Sequence, residues 1–272
     1  MVTFPNAKIN LGLNILGKRQ DGYHNLVSCF FPVPWQDILE IIPAKKTEIT
    51  FSGLPIEGPQ ESNLCMRAYQ LMAKDFQLPP VKIHLHKKIP MGAGLGGGSA
   101  DGAFTLKMLN ELFHLFLDPE LLQDYAAAIG SDSIFFIKNE PSIVKGRGEV
   151  FEPVSLNLKG YYLVIIAPEI HVSTKEAYRN LSSYTLDDSS LRKTIENEPV
   201  RYWQKTLKND FEGSVFKHHP DIRAIKEKLL TEGALYASMT GSGAAVYGIF
   251  ENQIKDLDDF FPDCTIFSSP IE

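Results

Sequence analysis

Five glycines, at 92, 94, 96, 97 and 98, lead straight into Ser99 within residues 90–103. Glycine is costly in regular structure because it loses the most backbone freedom on folding. So dense a cluster marks a chain that turns sharply and lets a ligand approach its backbone. The pattern that follows is helical: Leu106, Leu109, Phe113 and Phe116 form one apolar stripe, with Lys107, Asn110, Glu111 and His114 opposite. A glycine loop feeding a helix N-terminus aims free N–H groups and a partial positive charge at one place, which suits phosphate. The loop points to a nucleotide.

Two familiar nucleotide motifs do not apply. No lysine stands beside Ser99, so the Walker A pattern is absent. The dinucleotide fingerprint is literally present at Gly92, Gly94 and Gly97, and an acid, Asp118, lies about twenty positions on. Asp118, however, precedes Pro119, Glu120, Leu121 and Leu122, which makes it a helix N-cap rather than the end of a second strand.

Two charged residues could do chemistry on a hydroxyl. Residues 7–15 alternate, with Ala7, Ile9, Leu11, Leu13 and Ile15 on one side and Lys8, Asn10, Gly12 and Asn14 on the other. Asparagine and glycine are poor strand formers, so the polar side either lines a site or is a solvated sheet face. Asp132 follows Gly130 and Ser131 and precedes the apolar Ile134, Phe135, Phe136 and Ile137. A charge beside such a run must be paired or hydrogen-bonded, unless Asp132 caps the next helical turn. A lysine and such an aspartate form a couple suited to activating a hydroxyl nucleophile. A second glycine turn, Met239-Thr-Gly-Ser-Gly-Ala244, sits between two apolar runs and reads on its own as a bulged hairpin.

The elements that must position these residues alternate along the chain. Strands are expected at 7–15, 26–33, 38–42, 48–52, 81–86, 161–167, 235–239, 244–250 and 264–268, and a hairpin at 142–154 around Lys145-Gly-Arg-Gly148. Helices are expected at 63–76, from the glycine loop onward, at 119–128 with Gly130 in the C′ position, and near 174–180, 189–196, 200–216 and 220–231. The 272 residues, 44% hydrophobic and 22% charged, suffice for two globular domains. The boundary is placed at 153/154, giving 1–153 and 154–272. A net charge of −6 argues against a nucleic-acid partner. No basic segment with an apolar core opens the chain, and no apolar run approaches the ~20 residues of a membrane span. Cytoplasmic placement is therefore expected. Cys29, Cys65 and Cys264 are scattered and fit neither a disulfide framework nor a zinc site.

Three segments in order, Pro5-Asn-Ala-Lys-Ile-Asn-Leu-Gly-Leu13, Pro90-Met-Gly-Ala-Gly-Leu-Gly-Gly-Gly-Ser99 and Met239-Thr-Gly-Ser-Gly-Ala244, resemble the three motifs of the GHMP kinases. That family includes galactokinase, homoserine kinase, mevalonate kinase and phosphomevalonate kinase. Lys8-Ile-Asn-Leu, Arg19-Gln-Asp-Gly-Tyr-His24 and the glycines at 96–98 narrow the likeness. They resemble members acting on a cytidine-diphosphate-linked sugar alcohol in the non-mevalonate route to isoprenoids. Two local departures stand out: Gly130-Ser-Asp-Ser-Ile-Phe-Phe136 where Gly-Ala-Asp-Val-Pro-Phe-Phe is common, and Ser99-Ala-Asp-Gly-Ala103 for Ser-Ser-Asp-Ala-Ala.

The resemblance implies an α+β fold of two domains, a ribosomal protein S5 domain 2-like N-terminal domain and a ferredoxin-like C-terminal domain. It implies ATP and Mg2+ as cofactors and transfer of phosphate to a tertiary hydroxyl. Asp132 would be the general base and Lys8 its partner, with Asn10 touching the same end of the substrate. Pro90, Met91, Gly92, Ala93, Gly94, Leu95, Gly96, Gly97, Gly98, Ser99 and Ala100 would hold ATP, with Ser99 near the metal. Tyr23 and Tyr178 would sandwich the cytosine, and the His24 imidazole would read its edge. Thr240, Gly241, Ser242 and Gly243 would close around the substrate diphosphate. A monomer or weak homodimer is expected. A family member for another alcohol, such as mevalonate or homoserine, and a non-catalytic nucleotide binder of the same fold are the competing readings.

Overall fold

The computed structural model describes the chain except for residues 182–183 and 186–188. It falls into two compact units that interleave in sequence. One comprises Met1–Lys8, Pro32–Met91 and Gly96–Glu140; the other comprises Ile9–Phe31, Gly92–Leu95 and Pro141–Glu272.

The first unit holds a four-stranded sheet in the order Val2–Thr3, Ile38–Pro43, Val81–Lys87, Glu48–Gly53, antiparallel except for the last, parallel pair. Val81, Ile83 and Leu85 alternate inward, as β geometry requires of an apolar–polar repeat, and the inward parity continues to Lys87. Helices Leu64–Phe76, Gly97–Leu112 and Pro119–Ile129 pack on one another in the same unit. Asn63 caps the first by accepting the Cys65 N–H at 2.9 Å. Asp118 caps the third by accepting the Leu121 N–H at 2.8 Å, ahead of Pro119 in the first turn. That settles its role as a cap. Gly130 ends this helix in extended backbone, φ 173°, and not in the expected left-handed C′ conformation.

The apolar stripe after the glycine loop is shorter than its spacing predicts. The helix stops at Leu112, so Leu106 and Leu109 are buried but Phe116 lies beyond it at 88% exposure. The buried side is completed by small residues, Ala100, Gly102 and Ala103, with Met108.

The second unit holds an antiparallel sheet in the order Tyr236–Met239, Val246–Phe250, Tyr162–Pro168, Cys264–Pro270. Val164, Ile166 and Val246 pack with Ile222 and Leu229 of helix Pro220–Thr231, and Leu13 and Ile15 join the same core. The helix expected over 200–216 is two helices, Val200–Thr206 and Glu212–His218. Asn209 breaks it. Its carboxamide donates to the Met239 and Gly241 carbonyls, both at 2.8 Å, and accepts the Phe211 N–H at 3.0 Å. A third sheet runs Asn6–Lys18, His24–Gln36, Ser142–Gly146, Val150–Pro153, and its first two strands pass from one unit into the other. Asn6–Lys18 is buried without a break from Asn6 to Ile15 on both faces, so the solvated-face reading does not hold. Cys29 and Cys65 are buried and Cys264 is half-buried; all three are free. Among the described residues no helix is long and apolar enough to cross a membrane.

Candidate active site

In the first unit, Lys8 extends its ammonium to 3.7 Å from an Asp132 carboxylate oxygen. Asp132 lies in a short 3-10 turn, Ser131–Ile134, whose cap is Gly130, so the acid is not a cap. Phe135, Phe136 and Ile137 are buried behind it, while the Asp132 side chain stays 39% exposed. Burial pulls the Lys8 ammonium below the ordinary lysine range, against the Asp132 charge and hydrogen bond, which pull it up. Gly96, φ 71°, packs on the lysine and on Phe136: a Cβ there would stand 3.0 Å from Lys8 Cγ and 3.1 Å from Phe136 Cζ. The loop thus leaves for its helix directly against the lysine. An open carboxylate held by a sunken ammonium can accept a proton from an alcohol.

Gly97 and Gly98 begin the helix Gly97–Leu112, with Ser99 and Ala100 in the same turn. Their roles differ. A Cβ on Gly97 would meet Ile89 Cγ2 at 2.9 Å and Lys87 Nζ at 3.0 Å, so this glycine is required by the protein's own packing. At Gly98 nothing lies within 4 Å. Gly98 faces a cavity of about 160 Å³ whose wall includes Met91, Phe51, Ile56, Lys87 and Asp101. Sequence reasoning passed over Phe51, Ile56, Lys87 and Asp101. For Lys87 a signal existed, since it falls on the inward parity of Val81, Ile83 and Leu85.

In the second unit, Gly94 and the 240–243 turn are pressed together. A Cβ on Gly94, φ 80°, would lie 2.1 Å from the Thr240 carbonyl oxygen, and one on Gly241, φ 57°, 3.2 Å from Gly94 Cα. The Thr240 hydroxyl donates to the Gly94 carbonyl at 3.1 Å and accepts the Asn10 N–H at 3.1 Å. The Asn10 carboxamide donates to Ser28 Oγ at 2.9 Å, and the Asn10 backbone carbonyl accepts from the Tyr247 hydroxyl at 2.7 Å. Ser242 Oγ lies 3.0 Å from Thr174 Oγ1, and Gly243 has φ 95°. Asn10, Thr240 and Gly94 are therefore brought together within this unit.

His24 and Tyr178 are also brought together, ring on ring, with centroids 4.7 Å apart and planes inclined by 25°. Tyr178 meets Phe211 edge-on at 4.8 Å. Tyr23 is 58% exposed with the Arg147 guanidinium 5.0 Å over its face. Burial, aided by the Lys18 charge, lowers the His24 pKa, so the ring favours its neutral form.

The GHMP kinase N-terminal domain model matches residues 63–139 and the GHMP kinase C-terminal model residues 191–259. This chain belongs to the GHMP kinases, and its two-domain α+β fold is theirs. It is 51% identical over 264 residues to the 4-diphosphocytidyl-2-C-methyl-D-erythritol kinase of Bacteroides fragilis, covering 95% of this chain and 96% of that one. Identity to the enzyme of the same name from Cytophaga hutchinsonii is 49%, covering 93% of each. Among solved structures, a 4-(cytidine 5'-diphospho)-2C-methyl-D-erythritol kinase superposes with a TM-score of 0.83 at 28% identity, covering 98% of both chains. The Methanococcus jannaschii mevalonate kinase, at 16% identity and a TM-score of 0.71, covering 100% of this chain and 98% of its own, shares the fold.

Proposed function

We propose that this chain transfers the γ-phosphoryl group of ATP to the 2-hydroxyl of 4-diphosphocytidyl-2-C-methyl-D-erythritol, in the cytoplasm, with release of ADP. The observation that carries the reading is the Lys8–Asp132 pair at 3.7 Å with the exit of the glycine loop packed on the lysine. Near full-length identity to enzymes of that name supports the choice of substrate.

Asp132 takes the hydroxyl proton as the new O–P bond forms, and Lys8 holds the carboxylate in place. Positioning and charge stabilisation carry most of phosphoryl transfer, so the helix N-terminus at 97–100 and the loop from Pro90 do the larger share. The cavity beside Gly98 receives the nucleoside end of ATP. Among the described residues no group of three His, Cys, Asp or Glu side chains could cage a metal. A magnesium ion riding on phosphates keeps several waters and takes few protein ligands, and the Ser99 hydroxyl at the start of the helix is of the kind that serves as one in phosphate-binding loops. Bound there, it would neutralise phosphate charge.

Tyr23, His24 and Tyr178 take the cytosine, and 240–243 the diphosphate. We assign ATP binding to 1–153 and the substrate side to 154–272, which the family segments at 63–139 and 191–259 support. Residues 9–31, bearing Asn10, Tyr23 and His24, and Gly92–Leu95 of the loop group with residues 141–272.

The test is ADP release in a coupled assay with three alcohols: the cytidine-diphosphate substrate, mevalonate and homoserine. Turnover confined to the first is expected. Turnover of mevalonate or homoserine instead, or of none, overturns the reading.

A further inference from the structure

Three charged side chains that take no part in the reaction above are buried together in the first unit. Asp37, Lys87 and Asp101 are 0%, 1% and 3% exposed. The Lys87 ammonium donates to Asp37 Oδ2 and, at 2.8 Å, to Asp101 Oδ2. Asp37 Oδ1 accepts two successive backbone N–H groups, Lys88 at 2.6 Å and Ile89 at 2.9 Å. Asp101 Oδ1 has no hydrogen-bond partner, and its residue lines the cavity beside Gly98.

Stability does not account for this cluster. A buried ion pair is commonly no better for a core than well-packed apolar residues of the same volume. Burial pushes the Asp101 carboxyl upward against the pull of Lys87, with the Asp37 charge adding to the rise. What charged groups supply and leucines cannot is direction. Asp37 holds the two N–H groups at the entrance of the segment that becomes the glycine loop. Asp101 stands in the helix at its exit. Lys87 bridges them, and its Nζ lies where Gly97 has room for no side chain, 3.0 Å from the position of a Cβ.

We infer that Asp37, Lys87 and Asp101 are positioning residues that clamp both ends of the ATP loop and fix the mouth into which the phosphates fit. The inference rests on the assignment of residues 90–100 to ATP. The clamp acts on nucleotide affinity and leaves recognition of the cytidine substrate alone.

Three variants test it by ATP calorimetry and by KM for each substrate. Asp101→Asn keeps shape and removes one charge. Lys87→Met with Asp101→Leu removes two charges together and leaves Asp37 its two N–H donors. Gly98→Leu reports on the loop itself. The first two should weaken ATP binding and raise its KM by at least about fivefold, with KM for the cytidine substrate moving less than about twofold. ATP affinity within about twofold of wild type in either folded clamp variant, while Gly98→Leu loses it, overturns the clamp. If Gly98→Leu also binds ATP normally, the loop assignment fails and the clamp with it. If neither clamp variant folds, the triad is a folding element and the positioning role is overturned.

Discussion

The Lys8 ammonium and the Asp132 carboxylate stand 3.7 Å apart in unlike surroundings, the lysine at 4% exposure and the aspartate at 39%. The cost of burying charge therefore falls on the lysine, and the acid remains within reach of a substrate.

Asp132→Asn preserves shape and removes the basic group. Substrate affinity should persist in calorimetry while kcat falls by about 10²–10⁴. Retention of more than about a tenth of wild-type kcat would exclude Asp132 as the base.

Lys8→Met should cost activity and raise stability. The folded-state pKa of Lys8 is lowered below 10.5. Between that lowered value and 10.5 the unfolded chain binds more protons than the folded one, so wild-type stability gains as pH rises through this window. The penalty is fully present below the folded-state value and fades as the pH rises through that window. Lys8→Met should melt above wild type near pH 7, and the gap should close as the pH approaches about 10.5. A gap that widens with pH contradicts this. Lys8→Met combined with Asp132→Asn should lose much less kcat than the product of the two, since the pair acts as a unit.

Gly97 and Gly98 should separate folding from ligand binding. Gly97→Val forces atoms against Ile89 and Lys87 and should destabilise by about 1–3 kcal/mol, read as a lower melting point. Gly98→Leu, in helical backbone with open space before it, should keep its melting point and lose ATP affinity by at least about tenfold. Equal melting points for the two variants would refute the packing argument.

Tyr178→Ala removes the face on which His24 stacks. KM for the cytidine substrate should rise, by an amount matching about 1–3 kcal/mol of stacking, and KM for ATP should hold. Because the His24 pKa is lowered from 6.5, the ring is neutral above that value. KM for the cytidine substrate should be flat above about pH 6.5 and rise only as acid protonates the ring. A rise on the alkaline side would remove His24 from base recognition.

Much of this molecule was legible where local pattern and tertiary demand agree. The strand at 81–86, the caps at Asn63 and Asp118, and the hairpin around Lys145-Gly-Arg-Gly148 follow from residue types a few positions apart. Helix 200–216 misled because its break is set from afar, by carbonyls of Met239 and Gly241 that need the Asn209 amide. Phe113 and Phe116 kept helical spacing after the helix had ended at Leu112. In the site, residue type announced Lys8, Asp132 and the glycines. It did not announce Asp37 and Asp101, because the burial of these carboxylates depends on Lys87, brought from the end of strand Val81–Lys87. Gly97 was expected to make room for phosphate, and only the positions of Ile89 and Lys87 reveal that the protein's own packing also demands a glycine there.

The hydrogen bond from Tyr247 to the Asn10 carbonyl joins residues 237 positions apart, and Thr240 reaches the same asparagine from 230 positions away. A ribosome releases Asn10 long before either partner exists. At about 5–20 residues per second the interval is roughly ten to fifty seconds. Throughout it, Ile9, Leu11, Leu13 and Ile15 have no finished core to enter. A polypeptide cut short before residue 240 lacks both of these partners of Asn10, so its strand Asn6–Lys18 keeps its neighbour His24–Gln36 and loses the two anchors at its centre.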